Sequence, residues 1–268
     1  MMQRFSANLG FLWSELDLIT AIHRAKVSGF DGVEFHWPYD VNAKKLGKVL
    51  IKNNLKVISI NTLKGNQKTN DNGLSAIPNK IKEARQAIDI ALKYSNIINC
   101  KMIHVMAGNT PKNELSDFTF IENLHYACRE AKKLNKVILI EVLNPDDAPG
   151  YYLDNFDKAL EVIARVDRDN LKIMFDCYHI MKLGLCIRSL FVEHFECIGH
   201  IQIAAFPNRD EPTFNEDSYI KIIKFFQNNG WVDYVGAEYK PKIKTDDGVG
   251  WVKLYRNSLN NMVKGKSA

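Results

Sequence analysis

The chain has 268 residues, of which 46% are hydrophobic and 25% charged, and its formal net charge at pH 7 is +5. This length suits one large α/β domain, and the composition is that of a globular protein with a sizeable core. Lysines and acids are interleaved without a basic block that would follow a nucleic-acid backbone, so we expect a solvated surface with some attraction for small anions rather than a nucleic-acid partner.

Strand-like and helix-like segments alternate along the whole chain. The predicted strands cover residues 4–10, 32–37, 56–61, 101–108, 137–144, 171–179, 198–205 and 232–240. The predicted helices cover residues 14–29, 42–53, 79–96, 115–134, 154–166, 180–195, 215–230 and 249–263. The strands are almost continuously apolar, which is typical of parallel strands covered on both faces. Eight such units without a break in composition predict a single-domain α/β protein over residues 1–268, a (β/α)8 TIM barrel.

The main alternative is an open, doubly wound sheet, but the first turn after a strand lacks the G-x-G-x-x-G phosphate loop of that fold. The first helix is expected to begin with a capping box from Ser14 to Asp17 and to end at Gly29. The polar segment 62–78 is unusually long for a connection in a compact domain. It is interpreted either as a lid or binding loop or as a mobile insertion.

Cysteine usage and the N-terminus bear on the compartment. The five cysteines are odd in number and include no C-x-x-C pair, which favours reduced thiols in a cytoplasmic protein. Cys177 is expected to pack in the core rather than to act as a nucleophile. No signal-peptide h-region and no uncharged run of membrane-spanning length is evident in the sequence, so neither secretion nor membrane insertion is predicted.

Four predicted strands carry a polar side chain at or near their carboxyl end. These residues are Glu141, Asp176, Gln202 and Glu238, on predicted strands five to eight. A carboxylate is costly to bury unpaired, but the active sites of TIM barrels lie at this end of the strands. Neighbouring strands can bring the four side chains to one point, and an all-oxygen set suits Mg²⁺ or Mn²⁺ better than zinc. Each residue taken singly is equally consistent with an ordinary strand end.

Other polar residues lie close to these four in the sequence. His179 follows Asp176 by three residues, and Lys240 shares the face of Glu238 if that strand continues. Arg209 can bind a planar carboxylate with two hydrogen bonds. The alternative for Arg209 is a salt bridge to Asp210 or Glu211.

The opposite wall of the barrel mouth has its own candidates. Glu34 and His36 end the second predicted strand, and His104 lies in the fourth. His104 is equally consistent with a packed core histidine.

The order and spacing of several motifs resemble the hydroxypyruvate isomerase family, within the xylose isomerase-like barrels, over almost the whole chain. The motifs are RFSANLGFLW, GFDGVEFHWPYD, IHVMAGNTP, ILIEVLNP, FDCYHIMK, GHIQIAAFPNRDEP and GAEYKP. The resemblance implies a divalent metal held by Glu141, Asp176, Gln202 and Glu238. It implies that Glu141 and Glu238 are the catalytic acid/base pair.

The resemblance also implies a substrate site and a reaction. His179 and Arg209 correspond to positions that contact substrate in related sugar epimerases, and Lys240 and His104 are further candidate substrate ligands. The implied reaction converts hydroxypyruvate to tartronate semialdehyde in glyoxylate or sugar-acid metabolism, by a homo-oligomer. Asn215 before Glu216, where the family usually has glycine, and the NDNG sequence after strand three are departures that concern the choice of substrate.

Four other functions fit parts of the sequence. A 2-oxo-tetronate isomerase would have the same metal site and room for one more carbon. A ketose 3-epimerase commonly has a histidine where Gln202 stands. An endonuclease IV-like enzyme would need further strand-end histidines and a DNA groove, and neither is found. A non-catalytic ligand-binding barrel has no need of both Glu141 and Glu238.

Overall fold

Eight parallel strands form a closed barrel in the computed structural model, which describes residues 3–212 and 218–256. Each strand pairs with the next one along the chain, and β8 closes the barrel against β1. The strands are β1 (Arg4–Asn8), β2 (Gly32–Phe35), β3 (Lys56–Asn61), β4 (Met102–His104), β5 (Val137–Glu141), β6 (Leu171–Asp176), β7 (Ile198–Ile203) and β8 (Tyr234–Ala237). The predicted TIM barrel is therefore confirmed.

Helices occupy the connections between the strands. They are α1 (Leu18–Ser28), α2 (Ala43–Asn53), α3 (Ile81–Ile97), α4 (Glu114–Lys132), α5 (Phe156–Val166), α6 (Cys177–Lys182), α7 (Ile187–Glu193), α8 (Ser218–Asn228) and α9 (Thr245–Gly248). Residues 251–256 are also helical. Two predicted helix ends lie outside the described residues. They are the start of the seventh predicted helix at 215 and the end of the last one at 263.

The first helix begins later than the predicted capping box. Asp17 caps it, because the Asp17 side chain accepts hydrogen bonds from the backbone N–H groups of Ile19 and Thr20 at 3.1 and 3.2 Å. The expected start at Ser14 was therefore wrong by about one turn. Gly29 ends the helix with φ of 98°, as predicted, since glycine adopts this left-handed conformation without steric cost.

The sixth strand ends at Asp176, and its predicted extension to His179 was wrong. The Asp176 carboxylate accepts a hydrogen bond from the backbone N–H of Tyr178 at 2.8 Å and so caps a new helix, α6. The predicted single helix over 180–195 is instead two helices, α6 and α7. Cys177 is fully buried as expected, although it lies on the helix, and burial raises the pKa of its thiol well above the usual value.

The Asp71 side chain holds the long segment 62–78 together and ties it to Lys80 at the start of the next helix. The Asp71 carboxylate accepts hydrogen bonds from the backbone N–H of Asn66 and the hydroxyl of Thr69, both at 2.7 Å, and from the Lys80 ammonium at 2.5 Å. Gly73 forms a backbone bridge to Ala107, just beyond β4. These contacts fix the segment beside the carboxyl ends of the strands.

Candidate active site

The four strand-end side chains all lie at the carboxyl end of the barrel. Glu141 and Asp176 are the last residues of β5 and β6, Gln202 is the penultimate residue of β7, and Glu238 follows directly after β8. Each is at most 5% exposed. Asp176 is the register partner of Gln202 on the neighbouring strand, so these two side chains start from the same level of the barrel.

Arg209 joins two of these carboxylates. One Arg209 nitrogen, Nη2, lies 3.3 Å from Asp176 Oδ2 and 2.8 Å from Glu238 Oε2. The guanidinium also lies over two aromatic rings, 4.9 Å from the centroid of Phe11 and 5.0 Å from that of Tyr178. The alternative of a salt bridge from Arg209 to Asp210 or Glu211 was wrong.

Glu238 has donors on both of its carboxylate oxygens. Asn8 Nδ2 lies 2.7 Å from Oε1, and His36 Nε2 lies 3.1 Å from the same atom. Burial alone would raise the pKa of Glu238, but the hydrogen bond from His36 and the charge of Arg209 outweigh it and lower the pKa to about 2. The described structure therefore stabilises Glu238 as a carboxylate.

Glu141 has a different environment. Its Oε2 atom lies 3.5 Å from His104 Nδ1, and its buried Oε1 atom has no hydrogen-bond partner among the described residues. Burial raises the pKa of Glu141 well above the usual value, and the charges of Glu238 and Asp176 add to this effect. Burial also lowers the pKa of His104 to about 4, so this histidine is neutral at pH 7.

His179 presents a proton donor to the site because α6 turns it back toward Asp176. Its Nδ1 atom accepts a hydrogen bond from the backbone N–H of Asn144 at 3.0 Å. Burial and the charge of Arg209 lower the pKa of His179 to about 3, so the neutral ring carries its proton on Nε2. This Nε2 atom lies 3.6 Å from Asp176 Oδ2 and has no hydrogen-bond partner among the described residues. The tautomer suits donation to a substrate better than metal ligation.

Gln202 is oriented by a carboxylate inside the barrel. Its Nε2 donates to Glu34 Oε2 at 2.7 Å, which leaves the buried Gln202 Oε1 without a partner among the described residues. Glu34 also accepts from Ser6 Oγ at 2.5 Å and lies 2.9 Å from His200 Nε2. Glu34 was expected in the wall of the mouth, but these contacts hold it inside the barrel, where it orients Gln202.

A cavity of about 340 Å³ opens onto this cluster. Its lining includes the predicted residues His104, Glu141, His179, Arg209, Glu238 and Lys240. The strand stops at Ala237, so Lys240 does not extend it. Instead, the Lys240 backbone N–H donates to the Arg209 carbonyl at 2.7 Å, which holds Lys240 at the rim.

Several residues of the site were missed from the sequence. Asn8 is the last residue of β1, so the strand-end rule that identified Glu141 would have found it. Lys64 and Asp147 line the cavity from loops, and Phe11 lies beneath Arg209. No local sequence signal marks these loop positions. The departure at Asn215 and Glu216 lies outside the described residues.

The residues present fit a divalent cation. One carboxylate oxygen from Glu141 and one from Asp176 lie within 4.8 Å of each other, beside the ring of His179. The buried Glu141 Oε1 and Gln202 Oε1 atoms lack partners among the described residues, as oxygens reserved for a ligand would. Glu238 and Asp176 both contact the same Arg209 nitrogen, so Glu238 is a neighbour of this group. Carboxylate and amide oxygens are the donors that suit Mg²⁺ or Mn²⁺.

Known proteins resemble this chain in sequence over nearly its full length. Residues 22–255 match the sequence model of the family described as xylose isomerase-like TIM barrel. Hydroxypyruvate isomerase from Escherichia coli is 35% identical over 258 residues, which are 95% of this chain and 100% of the relative. A 2-oxo-tetronate isomerase from Haemophilus influenzae is 34% identical over 258 residues, again 95% of this chain and all of the relative.

Solved structures show the same fold. A protein from Brucella melitensis described as an AP endonuclease of family 2 superposes with a TM-score of 0.90 at 32% identity, covering 95% of this chain and 99% of the other. D-psicose 3-epimerase from Clostridium cellulolyticum superposes with a TM-score of 0.75 at 17% identity, covering 92% and 89%. At this low identity the epimerase shows only that the fold is shared.

Proposed function

We propose that this chain, which belongs to the xylose isomerase-like TIM-barrel family, is an isomerase of hydroxypyruvate and tartronate semialdehyde. The observation that carries the proposal is the pair Glu141 and Glu238, which line one cavity together with His179, Arg209 and Lys240. The resemblance to the hydroxypyruvate isomerase family is confirmed by relatives that match over 95% or more of their own length.

The reaction moves a carbonyl from C2 to C3 of a three-carbon acid. Removal of a proton from C3 of hydroxypyruvate gives an enediolate that spans C2 and C3. Addition of a proton at C2, with transfer of the hydroxyl proton from O3 to O2, gives tartronate semialdehyde. A group is needed to remove the carbon-bound proton and another to return one. Glu141 and Glu238, which line the cavity together, would take these two roles.

The surrounding residues bind and orient the substrate. Lys240 at the rim and Arg209 deeper in the lining of the cavity would supply positive charge for the substrate carboxylate. His179 Nε2–H can donate to a substrate oxygen. The donors Asn8, His36 and Arg209 hold Glu238 in one orientation, which keeps its carboxylate aligned for proton transfer.

Glu141, Asp176, Gln202 and Glu238 would hold a divalent metal, Mg²⁺ or Mn²⁺. When bound, such a cation supplies electrostatic stabilisation for the negative charge that develops on the substrate oxygens. It would also relieve the repulsion among the three clustered carboxylates.

A 2-oxo-tetronate isomerase is the second candidate. A relative with that activity in its name is 34% identical over 258 residues, nearly the same as for the hydroxypyruvate isomerase. Both reactions are proton transfers next to a carbonyl, and the cavity of about 340 Å³ also has room for the fourth carbon. The choice between the two is one of substrate length.

The direct test uses purified protein stripped of metal by a chelator. Hydroxypyruvate is added with and without Mg²⁺ or Mn²⁺, and tartronate semialdehyde is followed by coupled reduction. Turnover that requires metal supports both the isomerase and the metal site, and turnover without it removes the metal from the proposal. If only a 2-oxo-tetronate is converted, the second candidate replaces the first, and no turnover of either acid contradicts the proposed enzyme.

We also propose a reducing, cytoplasmic compartment. All five cysteines are free in the structure, and Cys100, Cys128 and Cys177 are buried. Among the described residues, no helix combines the length and the apolar character that crossing a membrane would require. Fractionation of cells that produce the protein would test its location.

A further inference from the structure

A second cavity, of about 570 Å³, lies at the opposite, N-terminal end of the barrel. The first residues of several strands line it, among them Lys56 of β3, Met102 of β4, Val137 of β5 and Tyr234 of β8. Within the described part of the chain, none of its lining residues also lines the active-site cavity. Its volume falls within the range of about 300–1,000 Å³ that is usual for small-molecule sites.

Four lysines line this N-terminal cavity, and one acid does so among the described residues. The lysines are Lys56, Lys101, Lys136 and Lys172. The acid, Asp233, is engaged by Arg4 at 3.4 Å. The cavity therefore carries a positive charge that its own lining does not neutralise, and a concave surface of one charge sign attracts counter-ions.

Lys136 is the least exposed of these lysines, at 6%. Its ammonium donates to the backbone carbonyl of Cys100 at 2.7 Å and forms no ion pair within the described residues. A buried charge is usually paired with an opposite one, because burial without a partner costs free energy. Burial lowers the pKa of Lys136, in keeping with that cost.

Neutral donors accompany the lysines. The side chains of Asn96, Asn99 and Asn135 line the same cavity and can supply amide N–H groups. Lys172 reaches the carbonyl of Glu196 at 2.6 Å and so lies fixed at the edge. The lining thus combines several ammonium groups with amides, and it includes no arginine among the residues that the structure describes.

We propose that the N-terminal cavity is a binding site for a small phosphorylated molecule, with Lys136 and Lys101 as its principal charged ligands. Lysine is a common phosphate ligand, which it binds as a point charge. Several ammonium groups in one cavity suit the charge of about −2 on a phosphate better than the single charge of a carboxylate. A bound phosphate would provide the opposite charge that Lys136 lacks. The site is independent of the isomerase reaction at the other end of the barrel.

Titration calorimetry of the full-length protein with inorganic pyrophosphate, without divalent cations, tests the site. We expect saturable binding of one equivalent. Lys136→Met should weaken it about tenfold or more, the equivalent of losing about 1.4 kcal/mol. Lys101→Met, an exposed position that is safe for folding, should weaken it several-fold. Circular dichroism and the unfolding midpoint of each variant report whether the fold is intact.

Two matched variants separate this site from other sources of binding. Lys82→Met removes an exposed lysine that lines neither cavity, and Lys240→Met removes a lysine of the active-site mouth. Both should bind pyrophosphate as the parent protein does. Loss of binding in Lys240→Met, unchanged binding in Lys101→Met and Lys136→Met, or no saturable binding would overturn the proposal. Tighter binding of citrate than of pyrophosphate would overturn the phosphate assignment in favour of a carboxylate ligand.

Discussion

The two ends of the barrel handle buried charge in opposite ways. At the carboxyl end, Asp176 and Glu238 share one cation, Arg209, and Glu141 lies beside them. At the N-terminal end, Lys136 is buried beside further lysines and contacts a carbonyl oxygen instead of an acid. The first end is a crowded set of acids linked by an arginine, and the second is an excess of positive charge. Each end is therefore suited to a ligand of opposite charge, a cation at one and an anion at the other.

The largest expected effect is on catalysis at the carboxyl end. Glu238→Gln keeps the size of the side chain but removes its ability to exchange a proton. We expect turnover to fall by about 100- to 10,000-fold, the usual contribution of a general acid or base, with the fold retained. Steady-state kinetics with saturating metal would measure this. Glu122→Gln, at an exposed position of α4, is the control, and near-normal turnover of Glu238→Gln would remove that residue from the acid/base pair.

The next effect is on stability at the same end. Arg209→Met removes the cation that Asp176 and Glu238 share, so two buried carboxylates lose the positive charge between them. We expect the free energy of unfolding in chelator to fall by about 3–5 kcal/mol, and by less when Mg²⁺ is added. Urea denaturation would measure both values. The exposed Arg168→Met should change stability by less than about 0.5 kcal/mol, and an equally small effect of Arg209→Met would show that the arginine is not needed there.

Asp71 offers an intermediate case, in which one acid is matched by one lysine. Burial raises the pKa of Asp71, but hydrogen bonds from Lys80, Thr69 and Asn66 outweigh burial and lower the pKa. The stabilisation should therefore be present above the unfolded pKa of about 3.9 and disappear as the pH falls through the lower folded value.

Asp71→Asn would measure the size of this pairing. We expect it to lose about 2 kcal/mol of stability at pH 7, with the difference from the parent shrinking below about pH 4. Urea midpoints at several pH values would follow this trend, with the exposed Asp40→Asn as the control. A difference that stays constant down to pH 2 would contradict the ionic origin of the effect.

The smallest expected effect, and the one opposite in sign to Arg209→Met, is at the N-terminal end. Lys136→Met replaces a buried ammonium without a carboxylate partner by an apolar side chain of similar length. We expect a change between zero and a gain of about 1 kcal/mol in the free energy of unfolding. Denaturation in phosphate-free buffer would measure it. A loss of unfolding free energy as large as that of Arg209→Met would show that buried charge affects stability in the same way at the two ends.

The sequence by itself determined that the chain folds as a barrel and that its candidate site lies at the carboxyl ends of the strands. The apolar runs of strands and the periodic patterns of helices are local features of the sequence. Eight β-then-α units could therefore be counted from the sequence alone. The polar ends of those runs identified Glu141, Asp176, Gln202 and Glu238, since such residues are costly in the middle of a buried strand. The order of the motifs along the chain also pointed to the family.

Only the tertiary structure decided how these groups are paired. Asn8 and Glu238 are 230 residues apart, and closure of β8 on β1 brings them to 2.7 Å. The local pattern after Asp176 also allowed a longer strand, but capping of α6 turned His179 toward the site. Such contacts depend on barrel closure and on side-chain packing between distant segments. Neither produces a local pattern in the sequence. The same closure gathers Lys101 and Lys136 at the far end, where each alone looks like an ordinary surface lysine.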